Sequence, residues 1–175
     1  MNAPHGADRG YEMKTAKYIP SEIADWFLCS VDRSSGGAIT HLKLQKLVYY
    51  AQAWSLALFN RPLFDEEIEA WAFGPVVRSL FRHFKGSGWQ NLEKPNKCPK
   101  FDKETEGLLK EILAVYGKYD GKYLEQLTHR EDPWKEARGG LPPEAASKHI
   151  IPKDKMRKFY LKLYEEANEK ENHSR

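Results

Sequence analysis

His129 follows Glu125 by four positions, a spacing that sets an imidazole and a carboxylate on one face of a helix. That pairing permits a charge-assisted contact and, with further partners, acid–base work. No Ser-His-Asp order, glycine-rich phosphate loop or HExxH pair accompanies it, so no catalytic residue and no cofactor are expected. Glu66, Glu67 and Glu69 crowd three carboxylates together without any obvious further ligands; a solvated acidic edge is expected, and no metal. The two cysteines, Cys29 and Cys98, stand in neither a CxxC nor a Cys/His spacing, which predicts free thiols in a reducing compartment.

Between positions 78 and 103 the bases Arg78, Arg82, Lys85, Lys94, Lys97, Lys100 and Lys103 are opposed only by Glu93 and Asp102. This stretch is the best pointer to nucleic acid. Two observations weigh against it. The formal net charge is only +3, and the helix that begins near Leu42 turns apolar immediately after Lys46, whereas a DNA-reading helix presents several polar side chains on one exposed face. A basic surface for an acidic protein partner is the expectation, sought first around Lys43, Lys46, Tyr50, Arg78 and Arg82.

These residues must be positioned by secondary structure. Ser21 is expected to cap a first helix with Ile23, Trp26, Phe27 and Val31 on its apolar side, ended by Ser34, Ser35, Gly36 and Gly37. Thr40 caps a second over 42–59, where Leu44, Leu47, Val48, Ala51, Trp54 and Leu58 recur at three- and four-residue intervals. Leu56, Ala53 and Ala57 make the other faces apolar as well, so this helix belongs in the middle of a fold. Gln45, Tyr49 and Gln52 share one of its faces, and the glutamines are expected to satisfy buried backbone groups.

Weak alternation over 63–73 predicts a short strand. Trp71, Gly74 and Pro75 then read as a strand-to-helix corner leading into a helix over 76–84, and 86–101 as a long exposed loop. Asp102 and Asp120 are expected to cap two more helices. Pro133 and Trp134 open a further turn before Gly139 and Gly140, with Trp134 in the core. Met156, Phe159, Tyr160, Leu163, Tyr164 and Ala167 define a terminal amphipathic helix, whose early lysines and late glutamates oppose the helix dipole.

A chain of 175 residues, 41% hydrophobic and 30% charged, fits one folded domain. No run reaches the roughly 18 apolar residues of a membrane span, so a cytoplasmic protein with no membrane partner is expected. The expected architecture is mainly α, a multi-helix domain around the buried helix over 42–59 with a small β element. Its expected bounds are 19–170, between a flexible tail over 1–18 and a polar tail over 171–175.

Three stretches carry a family resemblance: Leu44-Gln45-Lys46-Leu47-Val48-Tyr49-Tyr50-Ala51, then Ile68-Glu69-Ala70-Trp71-Ala72-Phe73-Gly74-Pro75-Val76-Val77, then Leu127-Thr128-His129 followed by Pro133-Trp134. In order and spacing they resemble the SocA-like antitoxin family with a Panacea domain, also described as GepA-like phage-associated proteins. The resemblance implies an antitoxin that neutralises a cognate toxin by direct contact. It also implies an alternative to simple blocking, an adaptor that delivers the toxin to the ClpXP protease; the basic stretch over 78–103 supplies a further alternative, a DNA-binding regulator.

Overall fold

Helix α2 (His41–Phe59) organises the molecule, because every residue of 44–53 is buried, polar ones included. Leu44, Leu47, Val48 and Leu56 are wholly inaccessible, each contributing about 1.5–3 kcal/mol by leaving water. Around it pack α1 (Pro20–Ser30), α3 (Arg78–Phe84), α4 (Lys103–Tyr116), α5 (Gly121–Arg130) and α7 (Lys153–His173), with α6 (Asp132–Arg138) joining α5 to α7. The computed structural model describes residues 12–173; seven helices and one small sheet among them make the mainly α architecture that the periodicity predicts.

The polar groups of α2 are spent on backbone. Gln45 accepts from Val77 N (2.9 Å) and donates to Val77 O (3.2 Å), and Gln52 accepts from Leu63 N (2.7 Å) and donates to Phe64 O (2.8 Å). Each glutamine thereby acts as a short strand partner for a segment that α2 alone could not hold. Thr40, Asp102 and Asp120 cap α2, α4 and α5 through the backbone N–H groups of Lys43, Thr105 and Tyr123, as their positions predict. Ser21 does not cap α1. Pro20 is already inside the first turn, and the Glu22 carboxylate instead accepts from Ile19 N at 2.9 Å.

The β element is larger than one strand. β1 (Ile68–Trp71) pairs antiparallel with β2 (Gly74–Val77), with Trp71 opposite Gly74, so Ala72 and Phe73 form a two-residue turn. β3 (Ile150–Ile151) pairs along the other side of β1, giving the order β2-β1-β3. Gly74 and Pro75 are therefore not a strand-to-helix corner, and the helix starts at Arg78 rather than Val76. Two causes keep this segment extended. Gln45 occupies the backbone groups of Val77, and β2 is an edge strand, where a proline's missing N–H breaks no ladder bond.

The expected domain bounds shift at both ends. Residues 1–11 of the expected tail lie outside the described residues, but 12–18 is docked: Lys14 N donates to Asn60 O (3.1 Å), Tyr18 N to Leu63 O (3.0 Å), and the Tyr18 ring meets Phe101 edge-on at 4.6 Å. Helix α7 runs on through Glu171 to His173, with 174–175 outside the described residues. Its first half is anchored, through buried Met156 and Tyr160 with half-buried Phe159 and Leu161 beside them; Leu163 and Tyr164 of the expected stripe are exposed because α7 outruns the body it packs on.

Two further expectations are corrected. Cys29 and Cys98 are not free thiols but a disulfide that ties the 86–101 segment to α1. That segment is exposed along most of its length, as expected, but it is fastened as a strap. It opens with a 3-10 turn (Lys85–Ser87), bridges Asn91 to Thr40, and buries Leu92, whose N–H donates to Ile39 O at 2.8 Å. The acidic edge is likewise partly committed. Glu69 binds Arg78 (2.8 Å) and accepts from Trp71 Nε1 (2.6 Å), Glu66 accepts from Ser79 N (2.9 Å), and Glu67 pairs with Lys153 (3.2 Å).

Candidate functional site

The three motif stretches, far apart in sequence, lock into one another. Lys46 reaches from α2 to the hairpin and donates to Pro75 O at 3.0 Å. Gly74 sits directly on this lysine with φ +91°, leaving no room for a side chain. From below, Trp134 Nε1 donates to Trp71 O (2.9 Å) and Arg138 Nη1 to Ala70 O (3.0 Å), while the His129 ring stacks on Trp134 at 3.9 Å. The hairpin is thus clamped between α2 and the α5–α6 pair.

A second polar knot lies farther along α2. Glu131 accepts from Tyr50 Oη (3.2 Å) and Tyr160 Oη, Tyr160 Oη in turn lies 3.2 Å from Tyr49 Oη and accepts its proton, and Tyr50 stacks on Tyr116 at 3.9 Å. This knot joins the start of α6 to α7 through the middle of the molecule.

Burial controls the ionisation of these groups. It pulls Lys46 down to about 7, opposed in part by the Glu125 carboxylate, and it pulls His41 down to about 4, helped by the Lys46 charge. Burial also pushes Glu131 up to about 7 against the hydrogen bonds from Tyr160 and Tyr50. His129 is lowered by burial, with Glu125 opposing; Glu125 itself bonds Lys122 at 2.7 Å rather than His129.

The Lys46 shift carries a testable sign. Between pH 7 and about 10 the unfolded chain keeps the lysine proton that the folded chain has released, so stability should climb with pH, at a slope of up to about 1.4 kcal/mol per pH unit. Lys46→Met removes the charge and keeps the length, and its stability should lack that climb. Urea unfolding of both proteins at pH 7 and pH 9.5 measures the difference; parallel behaviour would show that Lys46 titrates normally.

The five positions sought as a partner surface do not form one. Lys46 and Tyr50 are wholly buried, because the partners that hold them, Pro75 O and Glu131, come from distant parts of the chain. Lys43 is half-buried with its ammonium on Gly117 O, and Arg78 is paired with Glu69. Arg82 is exposed on α3. The family-motif residues Leu44, Gln45, Leu47, Tyr49, Trp71, Gly74, Pro75, Val76, His129, Pro133 and Trp134 are all buried or half-buried, forming a scaffold rather than a contact face.

What that scaffold presents is a groove of about 280 Å³ over the start of α2, walled by His41, Leu42, Trp71 and Phe81 and rimmed by Phe73, Lys85 and Trp89. Phe73 is 54% exposed at the hairpin turn and Trp89 is 75% exposed on the strap. Sequence reasoning missed both. The available signal was an aromatic residue placed at a glycine-flanked turn, where no core position calls for one. Among the described residues, no group of three or more His, Cys, Asp or Glu is placed to hold a metal, and no helix is long and apolar enough to cross a membrane.

The motif scaffold coincides with a known domain. The profile described as antitoxin SocA-like, Panacea domain, matches residues 44–135, just over half of the chain. Antitoxin SocA of Caulobacter vibrioides (strain NA1000 / CB15N) is 44% identical over 109 residues, covering 55% of this chain and 58% of that protein. The chain thus spans a little over half the length of that relative, and no solved structure matches. The hairpin and α5 fall inside the matched residues, as do all but the first turn of α2 and the start of α6, and this chain belongs to the SocA-like, Panacea domain antitoxin family.

Proposed function

We propose that this protein is a non-catalytic antitoxin that neutralises a protein toxin by binding it directly. The observation that carries the reading is the match over 44–135, together with a relative named as an antitoxin. The geometry is in keeping with stoichiometric binding. Three of its perturbed ionisable groups, Lys46, Glu131 and His129, are engaged in holding helices and hairpin together, and the surface carries an aromatic-rimmed groove.

The test is co-expression with the product of an adjacent reading frame that arrests growth when expressed alone. Growth restored by this chain is the expected result; arrest that persists in its presence would remove the antitoxin reading for that pair. A second reading, delivery of the toxin to ClpXP, draws on the exposed far half of α7, which projects from the body as a helix a protease complex could grip. In that case rescue would vanish in cells lacking ClpXP. Direct blocking predicts rescue in both backgrounds.

A further inference from the structure

We infer that the groove beneath Phe73 and Trp89 is the docking site for the toxin, and that it receives a bulky apolar side chain from an acidic segment of that partner. This inference rests on the antitoxin reading and names the surface that reading leaves open.

Phe73 and Trp89 are the two most exposed aromatic rings among the described residues, and they stand on the same groove. Neither is on a loose segment. Phe73 is held by the Trp71–Gly74 pairing on both sides of its turn and by the Trp134 bond to Trp71 O. Trp89 is held by Gln90 N donating to Ser87 O (3.0 Å), by the Thr40–Asn91 bridge and by buried Leu92. Rigid, solvent-facing aromatic residues lose little freedom on binding and are the side chains that most often dominate interface energy.

The volume, about 280 Å³, lies just under the roughly 300–1,000 Å³ of small-molecule sites and suits one or two inserted side chains. Charge then selects the partner. No carboxylate lines the groove, Lys85 stands on its rim, and Arg82 lies exposed on the adjoining helix. An apolar anchor flanked by aspartates or glutamates would meet apolar walls and a cationic surround at once. A nucleic-acid backbone would meet the cations but leave the apolar walls unused.

The experiment uses the full chain and the toxin that it rescues. Trp89→Glu and Phe73→Glu place a carboxylate at each rim position; both sites are exposed, and unchanged melting curves establish that each variant folds. Val115→Glu, at an exposed apolar position on α4, controls for added charge. Each rim variant is expected to weaken toxin binding by about 100-fold in titration calorimetry and to lose growth rescue, with Val115→Glu unchanged. Lys85→Glu is expected to weaken binding about 10-fold and to reduce its salt dependence.

Wild-type affinity in both rim variants would overturn the inference while leaving the antitoxin reading intact. So would a rim variant that abolishes self-association or duplex DNA binding and leaves toxin affinity untouched, because the groove would then serve a second copy or nucleic acid. If the wild-type chain rescues no toxin, the reading itself fails and the inference falls with it.

Discussion

Breaking the Cys29–Cys98 bond is expected to lower the unfolding free energy by about 4 kcal/mol, the chain-entropy value for a loop closed across 69 residues. The bond joins α1 to the far end of the 86–101 strap, with α2 and the hairpin inside the loop it closes. Its removal therefore enlarges the unfolded ensemble of the most important part of the fold. Urea unfolding with and without dithiothreitol measures the effect. The wild type should lose stability on reduction, while Cys29→Ser should start lower and not respond. Equal midpoints for wild type in both conditions would show that the bond contributes nothing. Cys98 is exposed, so a reductant has access. In a reducing compartment the strap that carries Trp89 would be held by the Asn91 bridge, the Leu92 bond to Ile39 O and the burial of Leu92.

Gly74→Ala is expected to cost about 3 kcal/mol. Two penalties combine there. The backbone is at φ +91°, a region that costs a residue with a side chain roughly 1–3 kcal/mol, and an added Cβ would lie 2.8 Å from Lys46 Cε and 2.8 Å from Thr128 Oγ1. Lys46 is poorly able to yield, because it is wholly buried and its ammonium is fixed on Pro75 O. Gly107 supplies the contrast. It lies within α4, exposed, with nothing within 4 Å of an added Cβ, so Gly107→Ala should stabilise by about 0.5–1 kcal/mol through helix propensity. Denaturant titrations of the two variants should therefore shift in opposite directions; equal shifts would mean that the hairpin tolerates a side chain at Gly74.

The contrast between these glycines mirrors what was legible in the sequence. Helix α2 was legible because its apolar residues recur on every face, a pattern that only burial explains, and Thr40, Asp102 and Asp120 marked starts by local chemistry. The roles of Gln45 and Gln52 followed from their place on that buried helix. The hairpin was misread because Gly74-Pro75 has the local signature of a helix start, and what holds it extended is Gln45, thirty-two positions away. Lys46 and Tyr50 were sought at the surface for the same reason: a lysine is ordinarily exposed, and the groups that admit it to the interior come from the hairpin and from α6. The disulfide is another long-range pairing, invisible in the spacing of two cysteines. Family resemblance covered Trp71 and Phe73 without marking them as a groove, because the opposite rim residue, Trp89, comes from a strap outside the motif stretches.

The most direct test of the account is the composition of what this chain purifies with. Co-expressed with a toxin that it rescues and isolated in cells lacking ClpXP, it should elute as one species by size exclusion with light scattering. The mass should correspond to a fixed whole-number ratio of the two chains, with the toxin intact, inactive while bound and active again once released by denaturation and refolding. A rescued culture that yields this chain alone, or a complex in which the toxin retains full activity, would contradict neutralisation by direct binding.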